Sequence, residues 1–120
     1  MAITIDGVSG VTFPDSSTQT TANYGANQSW QSFTVGSTRI IGSGSPYTNG
    51  TGKTIMVSIL ATGNGTQQQV FSGYVNNVEV SRGGASFNSG GAGMTFLVPP
   101  GATYYITTTG ASINGWLEFR

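Results

Sequence analysis

Four carboxylates, Asp6, Asp15, Glu79 and Glu118, are the acid and base groups of this chain, which contains neither histidine nor cysteine. Two carboxylates suffice for glycoside hydrolysis, where one acts as acid and the other as base or nucleophile. Their contexts point elsewhere. Asp6 and Asp15 stand beside Gly7 and Pro14 in turn-forming stretches, and Glu79 faces away from Val78 and Val80 in an extended strand. Glu118 shares a strand face with Arg120, as a surface ion pair would. The commonest general base, the usual soft metal ligands and the usual nucleophile–base pairs are missing with His and Cys. Gly52-Lys53-Thr54 ends like a phosphate-binding loop, but Tyr47 stands where that motif needs its first glycine, and a strand follows instead of a helix. Asp15 is the best calcium candidate, yet one carboxylate gives little charge to offset dehydration of the ion. The residues therefore predict no enzyme, no cofactor and no metal.

Composition narrows the partners. Only 7% of the residues are Asp, Glu, Lys or Arg, with four cations against four anions. That leaves no field to gather phosphates, which speaks against nucleic acid and against an anionic membrane surface. No apolar run approaches the roughly 20 residues of a membrane span, and the first residues lack the basic start and apolar run of a secretory signal. A weakly charged surface suits a protein packed beside copies of itself or a partner.

What remains for recognition is polar and aromatic. Trp30, Tyr47, Tyr74, Tyr104 and Trp116 can stack on sugar rings or anchor a protein contact, although core packing is the favoured role for Trp30 and Trp116. Turn residues on a rigid scaffold are where binding usually sits, which selects Tyr47, Asn49, Tyr74, Asn76 and Asn77 as candidate ligand contacts.

The elements that position these residues are strands. With 19 glycines, abundant Ser and Thr, and few helix formers, no segment carries the apolar spacing of a helix. Thr54 to Ala61 is apolar on nearly both faces, as a central core strand would be. Val70 to Val75 and Val78 to Ser81 flank Asn76-Asn77 and predict a tight hairpin. Met94, Phe96 and Val98 share one face before Pro99-Pro100-Gly101 stops the ladder. Tyr104 to Thr108 is extended, Gly110 to Asn114 reads as a turn, and the closing strand ends at Phe119-Arg120. The expectation is an all-β antiparallel sandwich, of jelly-roll type, over residues 27–120. It is preceded by a short extended arm over 1–26, joined through a polar connector that begins at Asn23. Ile3, Ile5, Val11 and Phe13 give that arm apolar pairs it cannot bury by itself.

The arm phrase Phe13-Pro14-Asp15-Ser16-Ser17-Thr18-Gln19-Thr20-Thr21-Ala22 resembles a motif of many bacteriophage tail-fibre and related virion proteins, with Ser16 where that family often has Gly. The second part resembles small phage knob domains through Trp30, Arg39, Tyr47-Thr48-Asn49, the stretch from Gly52 to Val57, Phe96-Leu97-Val98-Pro99-Pro100-Gly101-Ala102-Thr103-Tyr104 and Trp116-Leu117-Glu118-Phe119-Arg120. The resemblance implies a homotrimer in which three arms bury Ile3, Ile5, Val11 and Phe13 together. It further implies a place on the virion surface after synthesis in the bacterial cytoplasm, other capsid or tail proteins as partners, and contact with host surface glycans. Within that class a short head or tail fibre and a capsid decoration protein both fit. A free carbohydrate-binding module is the alternative from another class.

Overall fold

The computed structural model describes residues 3–6, 10–19, 27–63, 69–85 and 90–120. Strands β1 (Thr4–Asp6), β2 (Gly10–Thr12) and β3 (Thr18–Gln19) precede a second set: β4 (Trp30–Phe33), β5 (Tyr47–Thr48), β6 (Ile55–Gly63), β7 (Gln69–Val75), β8 (Val78–Ala85), β9 (Gly91–Val98), β10 (Thr103–Thr109) and β11 (Ala111–Phe119). Among the described residues there is no helix.

The second set forms two four-stranded antiparallel sheets, β4-β11-β6-β9 and β5-β10-β7-β8, packed as a β-sandwich. β7 pairs with β8, β6 with β9, β5 with β10 and β4 with β11, and each successive pair lies in the other sheet. The eight strands thus follow one two-stranded antiparallel ribbon wound around the core.

Period-two alternation decides which side chains enter that core. From β6, Ile55, Val57, Ile59 and Ala61 point inward; from β9, Met94, Phe96 and Val98; from the facing sheet, Phe71, Val75, Tyr104 and Ile106; and Trp116 lies among them from β11. Close packing calls for glycine at two points, one between the sheets and one between paired strands of a single sheet. A methyl group on Gly73 would sit 2.5 Å from the Phe96 ring, and one on Gly83 would overlap the Phe71 ring.

The turns follow local chemistry. Asn76 and Asn77 take φ of 49° and 64°, the left-handed pair that a two-residue hairpin turn demands. Gly101, at φ 77°, turns the chain after the two prolines. The turn expected over 110–114 is shorter than its sequence suggests. Only Gly110 turns, and β11 already runs from Ala111, absorbing one extra residue as a bulge between Ile113 and Gly115. Ile113 packs against the core, and this favours continued pairing.

The arm is not simply extended. β1, β2 and β3 form a three-stranded antiparallel meander with Ile5 opposite Val11 and Val11 opposite Gln19. The reversal after β2 is built by Pro14-Asp15-Ser16: the Ser16 and Phe13 amides donate to the carbonyls of Phe13 and Ser17, and Asp15 accepts from the Ser17 amide and hydroxyl. Those Ser17 hydrogen bonds hold the Asp15 carboxyl below the usual carboxylate range. The connector expected over 23–29 lies outside the described residues except for 27–29.

Ser16 occupies φ 67°, where a Cβ is disfavoured. Ser16→Gly is therefore expected to stabilise the turn by about 1 kcal/mol. The check is amide hydrogen exchange at Phe13 and Ser16, which should slow by about fivefold; unchanged exchange would mean the turn is not formed in solution.

Candidate functional site

The loops at one end of the sandwich gather most of the residues selected for binding. The Asn49 amide donates to Ala102 O and the Gly101 amide to Asn49 O, while the Asn76 amide donates to Thr103 O. Gln28 Nε2 donates to Thr54 O at this same end, and Ser29 and Arg120 exchange backbone hydrogen bonds of 3.0 and 3.1 Å. The chain therefore enters the sandwich from the arm beside the 49–53 loop, the hairpin tip and the 99–102 turn.

Asn49 is buried, which corrects its assignment as a ligand contact. Its Nδ2 donates to the carbonyls of Lys53, Val98 and Pro99 at 2.7, 2.9 and 3.1 Å, and its Oδ1 accepts from the Thr51 amide and hydroxyl. No polar atom of this side chain is left for a ligand. Asn76 is exposed but its Oδ1 accepts from the Thr103 amide at 3.0 Å, and Asn77 is exposed in the turn. Tyr47 is half-buried, packed edge-on to Trp116 and tilted against Tyr104, and its hydroxyl accepts from the Ile40 amide at 2.6 Å. It belongs to the wall of the core more than to a binding surface.

Behind Tyr47 lies a polar centre that the sequence did not reveal. Glu118 does pair with Arg120, but it is fully buried, so the pair is not at the surface. Its Oε1 accepts from Arg39 Nε at 2.8 Å, Tyr104 Oη at 2.8 Å and Trp116 Nε1 at 2.9 Å, and its Oε2 accepts from Arg39 Nη2 at 3.0 Å and Arg120 Nη1 at 2.7 Å. The Arg39 guanidinium lies 3.8 Å from the Phe33 ring centroid and 4.6 Å from that of Tyr47. Burial opposes ionisation of Glu118, but the hydrogen bonds from Arg39, Tyr104 and Trp116 outweigh it and hold the carboxyl below its usual range. Burial, and then the Glu118 charge beside it, push the Tyr104 phenol above its ordinary range. With every partner a donor and no access to water, Glu118 is placed to pin the 34–46 segment to the core through Arg39, not to meet a substrate.

The outer faces of the two sheets differ in chemistry. On β5-β10-β7-β8, Tyr74 and Tyr105 stack at 4.7 Å with planes 9° apart. The Tyr74 hydroxyl donates to Glu79 Oε2 at 3.2 Å, and Glu79 forms a two-pronged pair with Arg82 at 2.8 and 3.0 Å. Hydrogen bonding from Arg82 holds the Glu79 carboxyl below its usual range. Of the selected contacts, Tyr74 alone joins a polar and aromatic cluster on this face, with Glu79 and Arg82 exposed beside it and Tyr105 buried beneath its ring. Alternation along β7 and β10 could have pointed to Tyr105, whereas the Glu79–Arg82 partnership depends on the bulge between Gly73 and Tyr74.

On β4-β11-β6-β9 the outward side chains carry no charge. Trp30, Phe119, Met56 and Leu97 lie in register across all four strands, and Leu60 stands between Gly115 and Gly93 farther along. Trp30 is 51% exposed and packs on Phe119 at 5.4 Å, which corrects its placement in the core; Trp116 is the buried tryptophan.

No family model, curated protein or solved structure matches this chain. In the arm, Ile3 is 56% exposed, Ile5 81% and Phe13 37%, with Val11 half-buried. Among the described residues no group of three or more Asp or Glu side chains is placed to hold a metal ion.

Proposed function

We propose that this chain is a non-enzymatic structural protein of a bacteriophage particle surface, a short fibre, knob or decoration protein that assembles as a trimer through its arm. The observation that carries the reading is the arm's exposed apolar set. A three-stranded meander too small for a core of its own presents Ile3, Ile5 and Phe13 to water, and equivalent residues of neighbouring copies would cover them. The strand winding supports the jelly-roll assignment of the knob, in which eight strands share two sheets. The resemblance of the Phe13-to-Ala22 phrase to fibre connections and the engagement of Glu118 in a structural network support the same reading. Capsid or tail proteins are the implied neighbours, and host glycans the implied distal contact.

The test is the solution mass of the full chain, of its Ile5→Asp variant and of residues 27–120, which contain the whole core cluster. The full chain should be trimeric, and Ile5→Asp should weaken the trimer at least about tenfold in dissociation constant. A full chain that remains monomeric would sink the trimeric reading. It would bring forward the second reading, a free carbohydrate-binding module, which the solvent-facing Tyr74, Glu79 and Arg82 cluster favours.

A further inference from the structure

Among the described residues, the outer face of β4-β11-β6-β9 combines exposed apolar side chains with an absence of charge, whereas the exposed Val78 and Val80 of β8 flank Glu79. Strand pairing aligns Trp30 with Phe119, Phe119 with Met56 and Met56 with Leu97, so one apolar row crosses the entire sheet. Trp30 at its β4 end is 51% exposed and Leu97 at its β9 end 53%; Leu60, on the same face, is 51% exposed. Scattered single exposures of this kind are ordinary, but a register-aligned row on a charge-free face marks an interaction surface.

We propose that this face is where the knobs of neighbouring copies pack against one another in the trimer, an inference that rests on the trimeric reading above. Two observations select a second copy as the occupant. The first is charge. A partner presenting Lys, Arg, Asp or Glu here would desolvate those groups against a surface with nothing to pair them, so the fitting partner is equally uncharged over the contact. Every neighbouring copy carries such a surface in this same face, whereas its opposite face carries the Glu79–Arg82 pair. The second is position. The apolar row lies at the end where the chain enters from the arm: Trp30 is the first residue of β4, and Phe119 pairs with it one residue before Arg120 meets Ser29. Arms gathered by Ile3, Ile5 and Phe13 deliver the knobs with these row ends close to one another, so the second contact forms at high effective concentration. The face toward water is then the Tyr74 and Arg82 side.

The experiment uses the full chain and reads assembly in two independent ways. Trp116 is buried within the chain, so iodide quenching of the two tryptophans reports on Trp30. In the trimer Trp30 should be shielded, and dilution to monomer should expose it. Leu97→Lys and Leu60→Lys, both at exposed positions outside the core, should each raise the trimer dissociation constant by about tenfold or more while the monomer's circular dichroism is unchanged. A trimer whose stability is indifferent to both lysines and whose Trp30 remains open to iodide would overturn the inference while leaving arm-mediated assembly standing; the face would then belong to a different protein. A full chain that is monomeric at all concentrations would overturn the inference and the trimeric reading together.

Discussion

Replacing Glu118 with alanine is expected to lower the unfolding free energy by about 3–5 kcal/mol, with a fall in melting temperature of about 10–20 °C. The reason is the arrangement of its partners. Arg39, Arg120, Tyr104 and Trp116 all donate to one buried carboxylate, so alanine leaves two guanidinium groups, a phenol and an indole N–H without that acceptor. Glutamine should rescue only part of the loss, because its amide nitrogen brings donors where only acceptors are wanted. Arg39→Met combined with Glu118→Leu should be less damaging than Glu118→Ala, since it removes the buried charges as a pair. Urea denaturation of the variants measures this, and a Glu118→Ala loss below about 1 kcal/mol would contradict the buried network.

The same carboxylate sets a pH dependence. Its folded pKa lies below the unfolded value of about 4.5, so its contribution is complete above that pH and is lost as pH falls through the folded pKa. The wild-type chain should therefore destabilise in acid, and the Glu118→Leu, Arg39→Met pair should show a flatter acid limb. Exposed Asp15 and Glu79 are also depressed by their hydrogen bonds, but as surface groups they leave a shallower slope.

The second large effect is expected at Asn49. Asn49→Ala removes the donor shared by the Lys53, Val98 and Pro99 carbonyls and the acceptor of the Thr51 amide, and should destabilise the sandwich by about 2–3 kcal/mol. A residue serving a ligand would behave the opposite way, with binding lost and the melting temperature unchanged. Asn49→Asp should be at least as harmful, since a carboxylate offers no donor to three carbonyls. Chemical denaturation of both variants decides between the roles.

These two sites also show where the sequence was readable. A continuous apolar run marked β6, a shared apolar face marked β9 and the Asn76-Asn77 turn marked the β7–β8 hairpin, because each is decided by residues next to one another in the chain. Asn76-Asn77 and Pro99-Pro100-Gly101 carried their turns in their own backbone preferences. Glu118 was misread because its main partner, Arg39, stands 79 residues away in a segment with no periodic pattern. Asn49 looked like any exposed turn residue until the 49–53 loop closed over the 99–102 turn. The two tryptophans are chemically alike, and the sheet face each takes separates them: Trp116 points into the core from β11, whereas Trp30 shares the outer face with Phe119. The arm's fold-back was hidden because Ser16, where glycine would have announced a left-handed turn, adopts that conformation as an L-residue.

The winding of the ribbon carries a consequence for how the protein comes into being. The β7–β8 hairpin can form as soon as both strands leave the ribosome, but β6 then needs β9, β5 needs β10, and β4 needs β11. Each later pairing closes a longer stretch of chain, a topology that folds slowly, in milliseconds to seconds for sandwiches of this kind. The sheet facing β6 is incomplete until β10 joins β7 to β5, and the open edge of β6 lacks a partner until β11 is made. The knob is thus completed only when β11 joins it, and the interval before completion leaves a nearly uncharged strand edge open to other chains.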